Sequence, residues 1–168
     1  CDALCRAGID TQLCYIRIDA DSRQRRVVGD GSPEDRTVDD FGCGRLAKIR
    51  KRLCFGGITR YLREEKIDFL YVRYDHNANP ALIDWFRRVK QLGVKIALEI
   101  PTYPYDQEFA YGRWIARQKL TAEKPFRRSL AKYVDRIVTF SDHVEIFGRP
   151  TIRISNGIDF TRIPLKKQ

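Results

Sequence analysis

Apolar and polar residues alternate along the chain in a repeated strand–helix pattern. Runs rich in β-branched and aromatic residues predict strands at 11–18, 67–74, 94–100, 135–141 and 151–155. The run at 67–74 is continuously apolar, as expected of a strand that is covered on both faces. Strands that alternate with helices through short links predict a mostly parallel sheet with right-handed crossovers.

The helices between these strands are indicated by apolar spacing and by end signals. Apolar residues recur every three or four positions over 41–66, which predicts an amphipathic helix, and Gly56-Gly57 favours its division into two. Asn79 as N-cap, Pro80 as first helical residue and Gly93 as stop define the next helix. Further helical segments are predicted at 106–120 and 125–133, with a short helix or turn at 142–147. Residues 19–40 predict a small hairpin or an ordered flap.

In an open parallel sheet, ligands bind beyond the carboxyl ends of the strands. Four polar or aromatic stretches follow strands here: "RYDHNANP", "PTYPYDQE", "SDH" and "NGID". We therefore expect these stretches to line one edge of the sheet and to form one cleft.

Composition narrows the class of protein and its partners. The chain has 168 residues, enough for one domain, and a formal net charge of +10. Basic clusters at 23–26, 45–52 and 124–128 are typical of proteins that bind polyanions, although each cluster equally fits a solvated helix face. Zinc-finger and RNA-recognition signatures are missing, so we expect no nucleic-acid partner. No apolar run reaches the length of a membrane span.

Five cysteines without a CxxC pair are typical of free or buried thiols in a reducing cytoplasm. The sequence contains no methionine and begins at Cys1. We therefore expect it to be a piece of a longer reading frame.

One family resemblance is carried by the C-terminal part. The stretch "DRIVTFSDHVEIFGRPTIRISNGIDF" resembles the end of the N-terminal domain of retaining GT-B glycosyltransferases of the family 4 kind. In that family a "D-x-I/V-V-x-x-S" strand is followed by a second strand and by "N-G-I/V-D". The matching residues are Asp135, Ser141, Asn156, Gly157 and Asp159. "LYVRY" and "LEIPTYPYDQE" are similar to a bacterial subgroup, and the resemblance extends over nearly the whole chain from Cys5 onward.

The resemblance implies an α/β, Rossmann-like three-layer sandwich with a mostly parallel sheet, one half of a GT-B fold. Residues 1–168 would form a single N-terminal domain. The family's first strand with its Gly-rich turn, and its C-terminal donor-binding domain, are not in the sequence.

The implied activity is transfer of a sugar from a nucleotide-sugar to a saccharide or lipid-linked acceptor, of the hexosyltransferase type, as in polysaccharide biosynthesis. No metal and no cofactor are implied, and this half alone should be inactive. The expected location is cytoplasmic, with the basic surface docked on the anionic inner membrane face.

Candidate site residues follow from the strand ends and from the resemblance. Tyrosines suit sugars because they offer flat apolar faces with a hydroxyl, and the prolines beside them restrict the backbone. Glu99 needs a partner where it is buried, and Arg73 on the adjacent strand is the obvious one. The expected acceptor-binding residues are Arg73, Tyr74, Glu99, Thr102, Tyr103 and Tyr105. The expected residues of the interdomain cleft are Ser141, Asn156 and Gly157, and no catalytic residue is assigned.

Each of these residues has a structural alternative. Asn156-Gly157 also fits a plain tight turn, and Ser141 also fits a helix N-cap. The tyrosines equally suit core packing, Asp106 and Glu108 favour capping of the following helix, and His76 is typical of a hydrogen-bonded loop.

The alternative function is a non-catalytic Rossmann-like module that binds a nucleotide or a carbohydrate. A nucleic-acid binder that depends on charge is the third.

Overall fold

Two separate β-sheets and the helices packed against them make up residues 2–105 and 114–155, which the computed structural model describes. The first sheet follows a short helix α1 (Asp2–Arg6) and contains β1 (Leu13–Ile18), β2 (Gln24–Gly29) and β3 (Arg36–Gly42). All three strands are antiparallel, in the order β1-β2-β3.

The hairpin predicted over 19–40 is confirmed, and the first predicted strand pairs with it. That strand, β1, forms where expected but pairs with β2 and not with the parallel strands. The expectation that it belongs to the parallel sheet is therefore wrong. The short turn between β1 and β2 explains this, since neighbouring strands joined by a few residues pair antiparallel, whereas parallel strands need a long crossover.

The helical pattern over 41–66 divides in two, as Gly56-Gly57 suggested. Helix α2 (Gly44–Leu53) ends three residues before α3 (Gly56–Glu64) begins. The carboxylate of Asp39 on β3 accepts hydrogen bonds from the backbone N–H groups of Gly57, at 2.8 Å, and Ile58, at 3.3 Å. A Cβ on Gly57 would lie 1.8 Å from the carbonyl oxygen of Val38. Only glycine therefore allows α3 to approach β3 this closely.

The second sheet has the order β4-β5-β6-β8-β7. Its strands are β4 (Phe69–Arg73), β5 (Lys95–Glu99), β6 (Arg136–Thr139), β7 (Glu145–Ile146) and β8 (Arg149–Arg153). All neighbours pair parallel except β7, which runs antiparallel to β8. The protein is thus α/β, with a mixed and mostly parallel sheet. The strand β7 stands where the sequence predicts a short helix or turn.

The crossovers of this sheet contain the remaining helices, which are α4 (Pro80–Gln91), α5 (Trp114–Glu123), a 3-10 helix (Lys124–Phe126) and α6 (Arg127–Ala131). Helix α4 has the predicted ends. The Asn79 side chain accepts a hydrogen bond from the Leu82 N–H at 3.0 Å, and Gly93 takes a positive φ of 85° just after the helix.

One face of the second sheet is packed against helices. Ile96, Leu98 and Ile100 share a core with Phe86 and Val89 of α4. Residues of α3 and α6 and Val28 of β2 belong to the same cluster. This core holds the parallel strands in place and fixes where their carboxyl ends lie.

The opposite face carries the row Arg73, Glu99, Val138 and Ile152, which pair in register across four strands. On the same face of β4, Phe69 and Tyr71 are about half exposed. The expectation that this strand is covered on both faces is therefore wrong. The strand lies at the sheet edge, and the core formed by the described helices lies on the other side. Val138, in the middle of the row, is buried, and the exposed residues lie on β4 and at Ile152. We call the side that carries this row the open face.

Candidate functional site

The parallel strands end at a common edge, and the segments that follow them stay hydrogen-bonded to one another. The Tyr74 N–H donates to the Glu99 carbonyl at 2.9 Å, and the Phe140 N–H donates to the Pro101 carbonyl at 3.2 Å. The Ile154 N–H donates to the Thr139 carbonyl at 2.9 Å. These links extend the sheet past its strands, so Arg73 at the end of β4 and the loops that carry Thr102 and Ser141 converge at one edge.

An aromatic cluster lies at this edge, built from the loops after β4, β5 and β6 and from the turn between β7 and β8. Its members are Tyr74, His76, Tyr103, Tyr105, His143 and Phe147. The ring centroids of His76 and Tyr105 are 4.0 Å apart. Tyr103 meets His143 edge-on at 4.9 Å and Phe147 edge-on at 5.7 Å. Edge-to-face contacts of this kind are the favoured geometry for aromatic pairs.

A buried carboxylate fixes two tyrosines of the cluster through hydrogen bonds. Glu123, at the end of α5, is 2% exposed and accepts hydrogen bonds from the hydroxyls of Tyr74 and Tyr105. The guanidinium of Arg127 donates to it through Nε at 2.8 Å and also lies 4.4 Å from the centroid of the Tyr105 ring. Glu123 and Arg127 thus neutralise each other while fixing two tyrosines, as a buried ion pair requires.

The same surroundings keep both tyrosines protonated. Burial, and then the carboxylate of Glu123, raise the pKa of Tyr74 above its usual range. Burial, followed by the neighbouring Tyr74 and by Glu123, raises the pKa of Tyr105 in the same direction. Both hydroxyls therefore remain donors to Glu123 throughout the physiological pH range.

Two residues of the aromatic cluster have a backbone conformation that is rare for their type. His76 has φ of 44° and Phe147 has φ of 51°, both in the left-handed region. Non-glycine residues keep this conformation only where the surrounding structure determines it, and such positions concentrate at binding and catalytic sites.

The cluster has an inner and an outer part. Tyr74 and Tyr105 are buried, and their hydroxyls are engaged with Glu123. We therefore assign them a supporting role and not the direct acceptor contact that the sequence suggests. Tyr103 is half-buried, and His143 is exposed. These outer rings, with the exposed Thr102 beside them, are the part that a ligand can reach.

Arg73 and Glu99 form the expected neighbouring pair, with Nε and Oε1 3.9 Å apart. Arg73 is largely exposed and Glu99 mostly buried. Tyr71 also hydrogen-bonds Glu99, and its partial burial, together with that bond, raises the pKa of Tyr71 to about 12. These side chains lie on the open face, because Arg73 and Tyr74 are consecutive residues of an extended strand and point to opposite sides. The expected acceptor-binding residues thus form two groups that meet at the sheet edge.

Ser141 lies two residues after β6, with its hydroxyl 3.0 Å from that of Thr139. The alternative role of Ser141 as a helix N-cap is wrong, because the strand β7 follows and not a helix. The predictions for Asn156, Gly157, Asp106 and Glu108 fall outside the described residues.

Asp135, the first residue of the matched family pattern, lies at the opposite end of β6. It accepts hydrogen bonds from the Ile96 N–H at 2.7 Å and from Lys90 Nζ at 2.7 Å. Partial burial acts to raise the pKa of Asp135, but the Lys90 ammonium and the Ile96 N–H outweigh it and lower the pKa. Asp135 therefore ties β6 and β5 to α4 and is remote from the candidate site.

Sequence reasoning missed Glu123, Arg127 and Phe147 as parts of the site. Glu123 and Arg127 are four residues apart, a spacing that suits an ion pair on a helix. That spacing is equally common on solvated helices, and Arg127 belongs to the basic cluster at 124–128. Their burial follows from tertiary packing against Tyr74, Tyr105 and Phe147.

Three properties of the described residues concern metal ions, membranes and disulfide bonds. In residues 2–105 and 114–155, no group of three or more His, Cys, Asp or Glu side chains is arranged to hold a metal ion. The helices of the same residues include none that is both long enough and apolar enough to cross a bilayer. The described cysteines Cys5, Cys14, Cys43 and Cys54 are free thiols.

No protein-family model, no curated protein and no solved structure matches the chain. The conclusions about its function therefore depend on the residues and geometry of the site itself.

Proposed function

We propose that this chain is the acceptor-binding part of a glycosyltransferase. The enzyme would transfer a sugar from a nucleotide-sugar donor to a saccharide or lipid-linked acceptor. The observation that carries the proposal is the position of Tyr103, half-buried at the edge of the parallel sheet and braced by His143 and Phe147. A fixed ring at this edge is what a sugar-binding site needs.

The chemistry of the edge suits a saccharide. A sugar presents a C–H face that packs on an aromatic ring and hydroxyls that need hydrogen-bonding partners. Tyr103 supplies the ring and the adjacent Thr102 a hydroxyl, while Ser141 and the exposed guanidinium of Arg73 supply polar groups at the same sheet edge. Because the Tyr103 ring already packs against His143 and Phe147, little side-chain entropy is lost on binding.

The finer description of the fold belongs to this proposal. A Rossmann-like three-layer sandwich has helices on both faces of its sheet, and a helical layer over Phe69, Tyr71 and Ile152 would complete it. We propose that other parts of the full-length enzyme supply that layer and the donor-binding domain of a GT-B fold. Ser141, Asn156 and Gly157 would then face the cleft between the two domains.

In this arrangement the chain alone binds an acceptor but does not catalyse transfer. Closure of the two domains would bring the donor phosphates to basic groups and backbone amides at the cleft. The nucleotide-sugar is a co-substrate, and the proposal requires no resident cofactor or metal.

The test is an acceptor-dependent transfer assay with the full-length gene product and a panel of nucleotide-sugars. Tyr103→Ala should raise the acceptor KM at least about tenfold, because the stacking surface is lost. The control is Ile9→Ala, an exposed aliphatic residue before β1 and outside the second sheet, which should leave the KM unchanged. Saccharide binding without transfer by the full-length protein would instead support the non-catalytic binding module.

A further inference from the structure

Helix α2 turns its apolar side away from the core. Leu46, Ile49 and Leu53 follow one another at spacings of three and four residues, so they form one stripe along the helix. They are 63%, 53% and 51% exposed, and Ala47 is the buried residue of α2. A surface helix normally turns such a stripe inward, as α3 does with Ile58 and Leu62.

Cations flank the stripe, and among the described residues none of them has a carboxylate partner. Helix α2 has no acidic residue, and its five basic residues are Arg45, Lys48, Arg50, Lys51 and Arg52. Viewed down the helix, Arg50 lies on one side of the stripe and Arg45 and Arg52 lie on the other. Within the described part of the chain, no carboxylate comes within salt-bridge distance of any of the five.

The other basic clusters differ from this one. In the cluster at 23–26, Arg23 pairs with Asp40 and Arg26 pairs with Asp39. In the cluster at 124–128, Arg127 is buried against Glu123. Of these three clusters, α2 is the one that combines uncompensated charge with an exposed apolar stripe.

Two further exposed aliphatic residues lie on the face of the first sheet to which α2 is attached. The guanidinium of Arg26 donates to the carbonyls of Lys51 and Cys54, both at 3.1 Å, and so fixes the C-terminal end of α2 against this sheet. Ile16 is the direct partner of Arg26 in the sheet, and Ile18 follows on the same face. Both isoleucines are exposed, so this face also presents apolar side chains to solvent.

We propose that α2 is an interfacial helix that docks this protein on an anionic lipid bilayer. Leu46, Ile49 and Leu53 enter the boundary between headgroups and acyl chains, and the flanking cations contact lipid phosphates. The proposal does not depend on the glycosyltransferase function. A nucleic acid is the poorer fit, because its phosphate backbone offers nothing to three adjacent aliphatic side chains.

Vesicle flotation separates the contribution of the apolar stripe from that of the cations. The full chain is mixed with vesicles of phosphatidylcholine alone or of phosphatidylcholine with phosphatidylglycerol. We compare wild type with L46Q/I49Q/L53Q, which keeps every charge, and with R45Q/K48Q/R52Q, which keeps the stripe. The controls are V144Q, at a strongly exposed valine near β7, and R60Q/R63Q, at exposed arginines of α3. All substituted side chains are exposed, and thermal melts confirm that each variant folds.

Wild type should float with the anionic vesicles and much less with phosphatidylcholine alone. Each α2 variant should lose at least about tenfold in partition coefficient. Both controls and Tyr103→Ala should behave as wild type, so failure of the sugar site does not affect this result. Wild-type binding by L46Q/I49Q/L53Q overturns the proposal. So does a wild-type dimer in the absence of lipid that becomes a monomer in that variant, since the stripe would then be a self-association surface.

Discussion

The hydroxyl of Tyr105 donates a 3.0 Å hydrogen bond to the carboxylate of Glu123, and this bond joins the loop after β5 to the end of α5. The loop is thereby fixed to a buried ion pair, and the prolines at 101 and 104 are not its only restraint. Because Tyr103 stands in the same loop, two residues away, the position of the outer ring depends on a residue that no ligand touches.

Loss of the buried carboxylate should weaken the whole domain. Glu123→Gln removes a buried carboxylate that pairs with the Arg127 guanidinium, and we expect the free energy of unfolding to fall by about 3 kcal/mol. Urea unfolding measures it. Tyr105→Phe removes the hydroxyl that donates to Glu123 but keeps the ring, and it should cost about 1 kcal/mol.

The matched control is Glu64→Gln, which breaks an exposed ion pair with Arg36 and should cost no more than about 0.5 kcal/mol. Equal stability of Glu123→Gln and Glu64→Gln would show that the carboxylate does not support the loop.

The free energy of unfolding should fall at alkaline pH, because Tyr74 and Tyr105 release their protons more readily in the unfolded state. The pKa values of Tyr74 and Tyr105 are raised in the folded protein above the ordinary value of 10.0, so the folded state keeps protons that the unfolded state releases. Their contribution is fully present below pH 10.0 and is lost as the pH rises from there through the folded pKa.

The measurement is urea unfolding at intervals from about pH 9 to about pH 11. Tyr74→Phe/Tyr105→Phe starts from a lower stability and should show a shallower decline over that interval. Parallel curves for wild type and the double variant would rule out the raised pKa values.

The close approach of α3 to β3 predicts a difference between two adjacent glycines. A Cβ on Gly57 meets the Val38 carbonyl, whereas a Cβ on Gly56 meets nothing within 4 Å. Gly57→Ala should therefore destabilise by about 2 kcal/mol through overpacking. Gly56→Ala should be neutral or stabilise by up to about 1 kcal/mol through helix propensity. Thermal unfolding of both variants measures the difference. Equal melting temperatures would contradict the close packing of α3 against β3.

Asp135 should contribute to stability at neutral pH and not at strongly acidic pH. Its pKa is lowered in the folded state, so its contribution is present above the ordinary carboxyl value of 3.8 and is lost as the pH falls through the lower folded pKa. Asp135→Asn should cost about 1 kcal/mol at pH 7, a small value because the pair with Lys90 is partly exposed. Asp142→Asn, at an exposed pair with Arg153, should change nothing measurable. An equal loss in both variants would argue against the role of Asp135.

The parallel strands and α4 could be predicted from the sequence because their signals are local. Asn79, Pro80 and Gly93 define the helix by backbone chemistry that does not depend on the rest of the fold. The position of β1 could not be predicted, since an apolar strand of six residues pairs equally well in either sheet. The short turn to β2 decides the pairing, and that turn lies in the region 19–40, for which the sequence left a hairpin and a flap open.

The site was predictable in its position but not in its construction. Strand ends pointed to Tyr103 and Arg73, because the carboxyl ends of parallel strands share an edge. The inner support from Glu123 depends on burial, which the sequence does not display. The exposed stripe of α2 is hidden for the same reason, since the spacing of Leu46, Ile49 and Leu53 is identical in a helix that faces the core.

The most direct test of the sugar site is amide chemical-shift mapping of this chain with maltose, cellobiose and lactose as probes. The account predicts that at least one disaccharide shifts the amides of Thr102, Tyr103 and Ser141, and that Tyr103→Ala abolishes the effect while Phe69→Ala does not. Shifts that persist in Tyr103→Ala, or that fall on Phe69 and Lys95 at the opposite end of the strands, would contradict it.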